Sequence, residues 1–140
     1  MTRLTLELAV RVIDGALGRA IELRCPPLTV VVLDAGGHEI ALKRQDGSGI
    51  LRVDIARGKA WGALGMGFSS RELGERAQKV PHFFGALASV SQGRLVPVAG
   101  GVLIYDEERN VLGAVGISGD TSDRDEDCAL CGIRIAGLQP

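Results

Sequence analysis

Apolar residues recur at helical spacing from Leu6 to Leu23. Ala9, Val12, Ile13, Ala16, Leu17, Ala20 and Ile21 make one stripe, and Thr5 is placed to cap the first turn. Cys25-Pro26-Pro27 ends that period. Leu28 to Asp34 is a nearly unbroken β-branched run, the pattern of a strand covered on both faces. Ala35-Gly36-Gly37-His38 predicts a hairpin turn that leaves His38 in solvent, with Glu39 to Gln45 returning as the second strand. Beyond the turn Asp46-Gly47-Ser48-Gly49, a helix is expected from Leu51 to Leu64. Its face of Val53, Ala56, Ala60 and Ala63, with Gly58 and Gly62 beside it, is made of small residues. A helix with such a face can lie very close to a sheet or another helix.

The second half is more finely divided. Ser69-Ser70 can cap a polar segment running to Val80, and Pro81-His82-Phe83-Phe84 interrupts it before a short apolar helix. Leu95 to Val98, Val102 to Tyr105 and Val111 to Ser118 predict three more short strands. A closing helix is expected from Arg124 to Leu138, with Asp123 as its cap and Glu126 in capping-box position. The order α-ββ-α(α)-βββ-α, with hairpin-length connections, gives an α+β class in which helices pack on an antiparallel five-stranded sheet. There is no internal repeat and no linker, so residues 1–140 are expected to form a single domain.

Composition narrows the function more by exclusion than by indication. A net charge of −1 gives no global attraction to nucleic acid or membrane. Aromatics at 4% are too few for base-stacking platforms. No apolar run approaches the roughly 18 residues that a membrane span requires. Met1-Thr2-Arg3-Leu4 lacks the apolar core of a secretory leader, and three cysteines is an odd number. A cytoplasmic, reduced setting is therefore expected.

Several residues carry candidate chemistry, each with a plainer alternative. Lys59, among small residues, can anchor an anion, act as a base or form a Schiff base, or it can be a surface lysine paired with a carboxylate such as Asp46. Arg44 can clamp a carboxylate or a propionate, while Asp46 can simply fix its own turn. His82, between Pro81 and two phenylalanines, suits an axial haem ligand or a general acid/base, or else a satisfied histidine on an apolar patch. Cys128 and Cys131 share a helical face with Ile135 and Leu138 and lack a second ligand pair, so packing is expected rather than zinc. Asp120, Asp123, Asp125 and Asp127 lack the spacing of a calcium loop, and no metal-ion site is expected there. Arg124 is the cation among them and can reach an acidic ligand or another subunit. Ser118 lacks the flanking residues of a nucleophile elbow.

Three segments together resemble the GlcG/HbpS-like family, also called the haem-degrading or DUF336 family. They are Val30–Gly37; Arg44-Gln45-Asp46-Gly47 followed by Asp54–Ala60; and Gly100-Gly101-Val102 followed by Gly113–Gly119, Asp125-Glu126 and Gly132. The chain departs from the commoner pattern at residues 65–95, around Pro81-His82-Phe83-Phe84. The resemblance implies a profilin-like (GlcG-like) layered fold with helices on both faces of the sheet, and a homo-oligomer of two or more copies. It also implies a small-molecule-binding protein, with haem or a related tetrapyrrole as the leading ligand. The pocket would form where the Ser118–Asp123 turn, Lys59 and the His82 segment converge. Arg44, Lys59, His82, Phe83, Ser118, Gly119 and Arg124 would bind the ligand, with His82 on the iron. The alternative is a cofactor-independent hydrolase, lyase or isomerase acting on a small organic acid, lactone, amide or enol. There His82 or Asp46 would move protons, and Lys59, Arg44 or the Gly119 amides would hold an oxyanion.

Overall fold

The computed structural model describes residues 3–140; Met1 and Thr2, the start of the segment that lacks the apolar core of a leader, lie outside the described residues. Helix α1 (Leu6–Leu23) starts where Thr5 accepts the Leu8 amide at 3.2 Å, and ends at Arg24 in the left-handed conformation, φ 55°. Ala9, Val12, Ile13, Ala16 and Ala20 are buried as the stripe requires, but Ile21 points to solvent. Strands β1 (Thr29–Asp34) and β2 (Glu39–Arg44) form the expected hairpin. Helix α2 (Arg52–Met66) follows, then α3 (Ser70–Lys79), capped by Ser69 on the Glu72 amide. Helix α4 spans Pro81–Val90. Strands β3 (Gly101–Tyr105) and β4 (Val111–Ser118) complete the sheet, and α5 (Ser122–Ile135) closes the chain.

The sheet is antiparallel with order β2-β1-β4-β3. Alternation along β1 divides the core in two. Val30 and Val32 join Val102, Ile104, Val115 and Ile117 on the face covered by α1 and α5. Val31 and Leu33 join Leu103 and Ala114 on the face covered by α2, whose contribution is Ala56, Ala60 and Ala63. In the second layer the large buried apolar side chains come from the sheet, and α2 supplies only small ones. The second is thin enough that a Cβ on Gly116 would strike the Ala56 carbonyl and the Ala60 amide of α2.

Three expectations are corrected. The sheet has four strands, because Leu95–Val98 is irregular. That segment lies along α2, where the Val96 amide donates to the Gly58 carbonyl at 3.2 Å and Leu95 packs over Gly62. Pro97 also removes a donor that a strand ladder would need. Residues 81–84 do end the polar segment, α3 stopping at Lys79, but they belong to the apolar helix and do not precede it, because α4 opens on Pro81. It is the first helical residue, where a missing amide costs no intrahelical bond. Finally, α5 is capped by Thr121 on the Arg124 amide, two residues before Asp123, and it ends at Ile135 rather than Leu138. Glu126 is thereby out of capping-box register and bonds Arg71 of α3 instead.

Candidate functional site

Polar groups concentrate at the end of the sheet where β4 finishes and β1 and β3 begin. Ser118 and Thr29 are cross-strand partners there, and Thr29 shares a 2.8 Å hydrogen bond with the Ser48 hydroxyl. From α2, Arg52 donates to the Ser118 hydroxyl at 3.0 Å. Further along α2, Lys59 donates to the Ile117 carbonyl at 2.9 Å and to Asp125 of α5 at 3.2 Å. The second Asp125 oxygen accepts the Asp120 amide at 3.0 Å, tying down the turn before α5. Lys59 gets through because Gly100 leaves room, since a Cβ there would stand 2.8 Å from the ammonium. Beside it, the Gly101 amide donates to Ser70 at 2.7 Å.

Lys59 and Asp125 are both buried, with side-chain exposures of 3% and 1%. Burial pulls the Lys59 pKa below the ordinary lysine range, and Asp125 attraction opposes that shift. Burial likewise pushes the Asp125 carboxyl up, against the pull of Lys59. As a charged pair they satisfy each other and the Ile117 carbonyl. The ammonium is thus held within the protein between two helices, and Asp46 is not its partner.

The other candidate residues are distributed around this cluster. Arg44 donates to the Ser48 carbonyl at 3.1 Å. It lines an open cleft of about 550 Å³ together with Asp46, Cys25, Pro27 and Gln45, whose lining includes neither Lys59 nor His82. The Asp46 turn is closed by the Ser48 amide on the Gln45 carbonyl at 3.0 Å, with Gly47 at φ +85°; Asp46 makes no side-chain hydrogen bond among the described residues. Gly119, at φ +156°, packs against the Pro27 carbonyl and Leu28. Arg124 is exposed, donating to the Leu23 carbonyl at 3.3 Å. His38 is exposed at the hairpin, beside Asp34. Cys128 is fully buried and Cys131 partly so, while Ile135 faces solvent. No group of three or more metal-ligating side chains occurs among the described residues.

His82 and Phe83 lie on the first turn of α4, both exposed. Phe83 stands edge-on to the buried Phe84, with centroids 5.7 Å apart and planes at 86°, so its ring is held in place. The His82 imidazole has no hydrogen-bond or charge partner among the described residues. The rest of α4 is apolar, yet only Phe84 is buried; Val90 is 77% exposed. An uncommitted imidazole beside a fixed aromatic ring on an open apolar face fits the needs of a haem iron ligand. Asp125 and Arg52, which complete the polar cluster, were missed as its partners in the sequence. Asp125 stands in the sequence as one of several acids and in the Asp125-Glu126 pair of the family resemblance, with no sign of Lys59 as its partner, and nothing local marks Arg52 as the partner of Ser118.

Residues 4–134 match the family described as haem degrading protein HbpS-like. The chain is similar to the corrinoid adenosyltransferase PduO of Citrobacter freundii, 32% identical over 119 residues, which is 85% of this chain and 35% of that protein. It therefore spans about a third of the length of that curated relative. Its fold is similar to the crystal structure of a PduOC:heme complex, with TM-score 0.88, 28% identity, and coverage of 98% of this chain and 97% of the other. It is also similar to the crystal structure of HbpS, with TM-score 0.83, 26% identity, and coverage of 96% and 91%. No helix among the described residues is long and apolar enough to cross a membrane.

Proposed function

This chain belongs to the HbpS-like family, and from that premise we propose that it binds a small molecule, with haem or a related tetrapyrrole as the leading ligand. The observation that carries this reading is the exposed, uncommitted imidazole of His82 on the apolar face of α4. His82 holds the iron in this reading, and Phe83, fixed by Phe84, offers a flat wall to the macrocycle. Lys79, the last residue of α3 and without a carboxylate partner among the described residues, suits a propionate. When bound, the haem supplies an iron centre capable of axial ligation and one-electron chemistry. The likeness to a PduOC:heme complex over nearly the whole chain supports the choice of ligand.

A haem lying on α4 would have one face against this chain and the other toward solvent. A second copy covering that face would bury Phe83, Val90 and the macrocycle together, so the binding unit is a homo-oligomer. Lys59 and Ser118 then shape the scaffold behind the site, since their polar atoms are engaged internally.

The test is a visible-absorbance titration of the purified protein with haemin, alongside His82→Ala. A saturable one-site Soret shift that disappears in the variant is expected. A shift that survives unchanged removes His82 from the iron, and no saturable shift discards haem as the ligand.

A further inference from the structure

On the far side of α2 from the Lys59 cluster's partners, a cleft of about 400 Å³ is lined by Gly37, Asp54, Arg57, Trp61 and Arg94, with Gly58 and Gly93 at its base. The Arg94 guanidinium stacks on the Trp61 ring, its carbon 4.1 Å from the centroid. Only its Nε is used, donating to the Ser91 carbonyl at 3.0 Å. Both terminal nitrogens are free of hydrogen-bond and carboxylate partners among the described residues. Arg57, on the opposite wall, is already neutralised by Asp54 at 3.0 Å and Glu39 at 2.9 Å. Arg94 is thus the cation in this cleft whose charge is unanswered.

The surrounding backbone fixes the pair. A Cβ on Gly58 would come within 2.5 Å of the Arg94 carbonyl, so the chain at residue 94 rests directly on α2. The Val96 amide bonds the Gly58 carbonyl beside it. At the other edge of the indole, Gly37 has φ +83°, and its absent Cβ would be 3.5 Å from Trp61 Nε1. That nitrogen donates to nothing among the described residues. Trp61 and Arg94 thus line the same small cleft with N–H donors that no other described residue accepts.

The geometry points to a binding site for a small organic carboxylate, held by the terminal nitrogens of Arg94 and the indole N–H of Trp61. A carboxylate has two oxygens, enough to take a forked pair from arginine and a third donor at the side. The stacked ring limits the freedom of the guanidinium, so less ordering is needed on binding. The site uses no residue of α4 itself, beginning just beyond its cap Ser91, and does not include His82.

Trp61 is the sole tryptophan, so its emission reports this cleft alone. The full chain is titrated with sodium acetate and sodium benzoate at constant ionic strength, following Trp61 fluorescence and the indole N–H resonance by NMR. A saturable change in both signals is expected, with Arg94→Gln weakening it by about tenfold or more. Arg94 is exposed, so the variant should keep its circular dichroism; the indole shift in the unmodified chain gives an answer even if it does not. The assignment is overturned by the absence of a saturable change, by one that persists in Arg94→Gln, or by inorganic phosphate binding more tightly than either carboxylate. A fluorescence change that follows protein concentration instead of added carboxylate would overturn it too, making the cleft a contact between copies.

Discussion

Lys59 of α2 reaches past the end of β4 to Asp125 of α5, joining the helices on opposite faces of the sheet through one enclosed ion pair at 3.2 Å. Removing either partner leaves the other charge buried and unanswered. Lys59→Met should therefore destabilise the fold by about 3–5 kcal/mol. Lys59→Met combined with Asp125→Leu should recover much of that loss, because the orphaned charge is gone. Chemical denaturation of the parent, both single variants and the double variant decides it; purely additive losses would mean that the pair is not energetically coupled.

Cys128 gives a prediction at alkaline pH. Burial, reinforced by the neighbouring Cys25 thiol, raises its pKa from 9.0 to about 12. The folded chain therefore keeps this proton after the unfolded chain has released it. The contribution to stability is complete below pH 9 and is lost as the pH rises toward 12. One proton sets a slope of at most about 1.4 kcal/mol per pH unit. In Cys128→Ala the decline in stability across that interval should be shallower than in the parent. Parallel declines would remove Cys128 as its source.

Two glycines, Gly116 in β4 and Gly65 in α2, should respond in opposite directions to a single methyl. At Gly116 a Cβ would collide with the backbone of α2, and Gly116→Ala should cost about 1–3 kcal/mol or more. At Gly65 nothing lies within 4 Å of the same position and the residue is helical, so Gly65→Ala should stabilise by about 0.5–1 kcal/mol. Thermal melts of the two variants measure both signs.

The open face of α4 carries the proposed oligomer. Val90→Glu places a charge on a residue that is 77% exposed in the single chain, so it should leave the fold intact. If copies meet through this helix, the molar mass from light scattering should fall on substitution. An unchanged mass in an oligomeric parent would place the contact elsewhere.

Elements governed by short-range rules were legible in the sequence. Thr5 caps α1, the β-branched run becomes the covered strand β1, and Ser69 caps α3. Errors arose where distant partners decide. Leu95–Val98 has the composition of a strand, but the side-chain-free backbone of α2 at Gly58 takes the Val96 amide, and Pro97 cannot extend a ladder. Asp123 and Thr121 are both good caps, and the engagement of Asp123 and Glu126 with Arg71 of α3 leaves the cap to Thr121. In the candidate site, the small-residue context of Lys59 was visible but its partner 66 positions away was not. His82 could be picked out, whereas its exposure on an open apolar helix depends on how little of α4 the rest of the chain covers.

Where α2 crosses β4, the contact is made of alanines, glycines and backbone, with Gly116 against the Ala56 carbonyl and the Ala60 amide. At Gly116 and Gly58 an added carbon would be a collision with backbone, so the seam leaves little room for change there. Copies of this fold that come to recognise different ligands must therefore diverge at its margins. The exposed side chains of α4 and of Arg94 lie outside the seam and have room to vary, while the seam beneath holds their spacing constant.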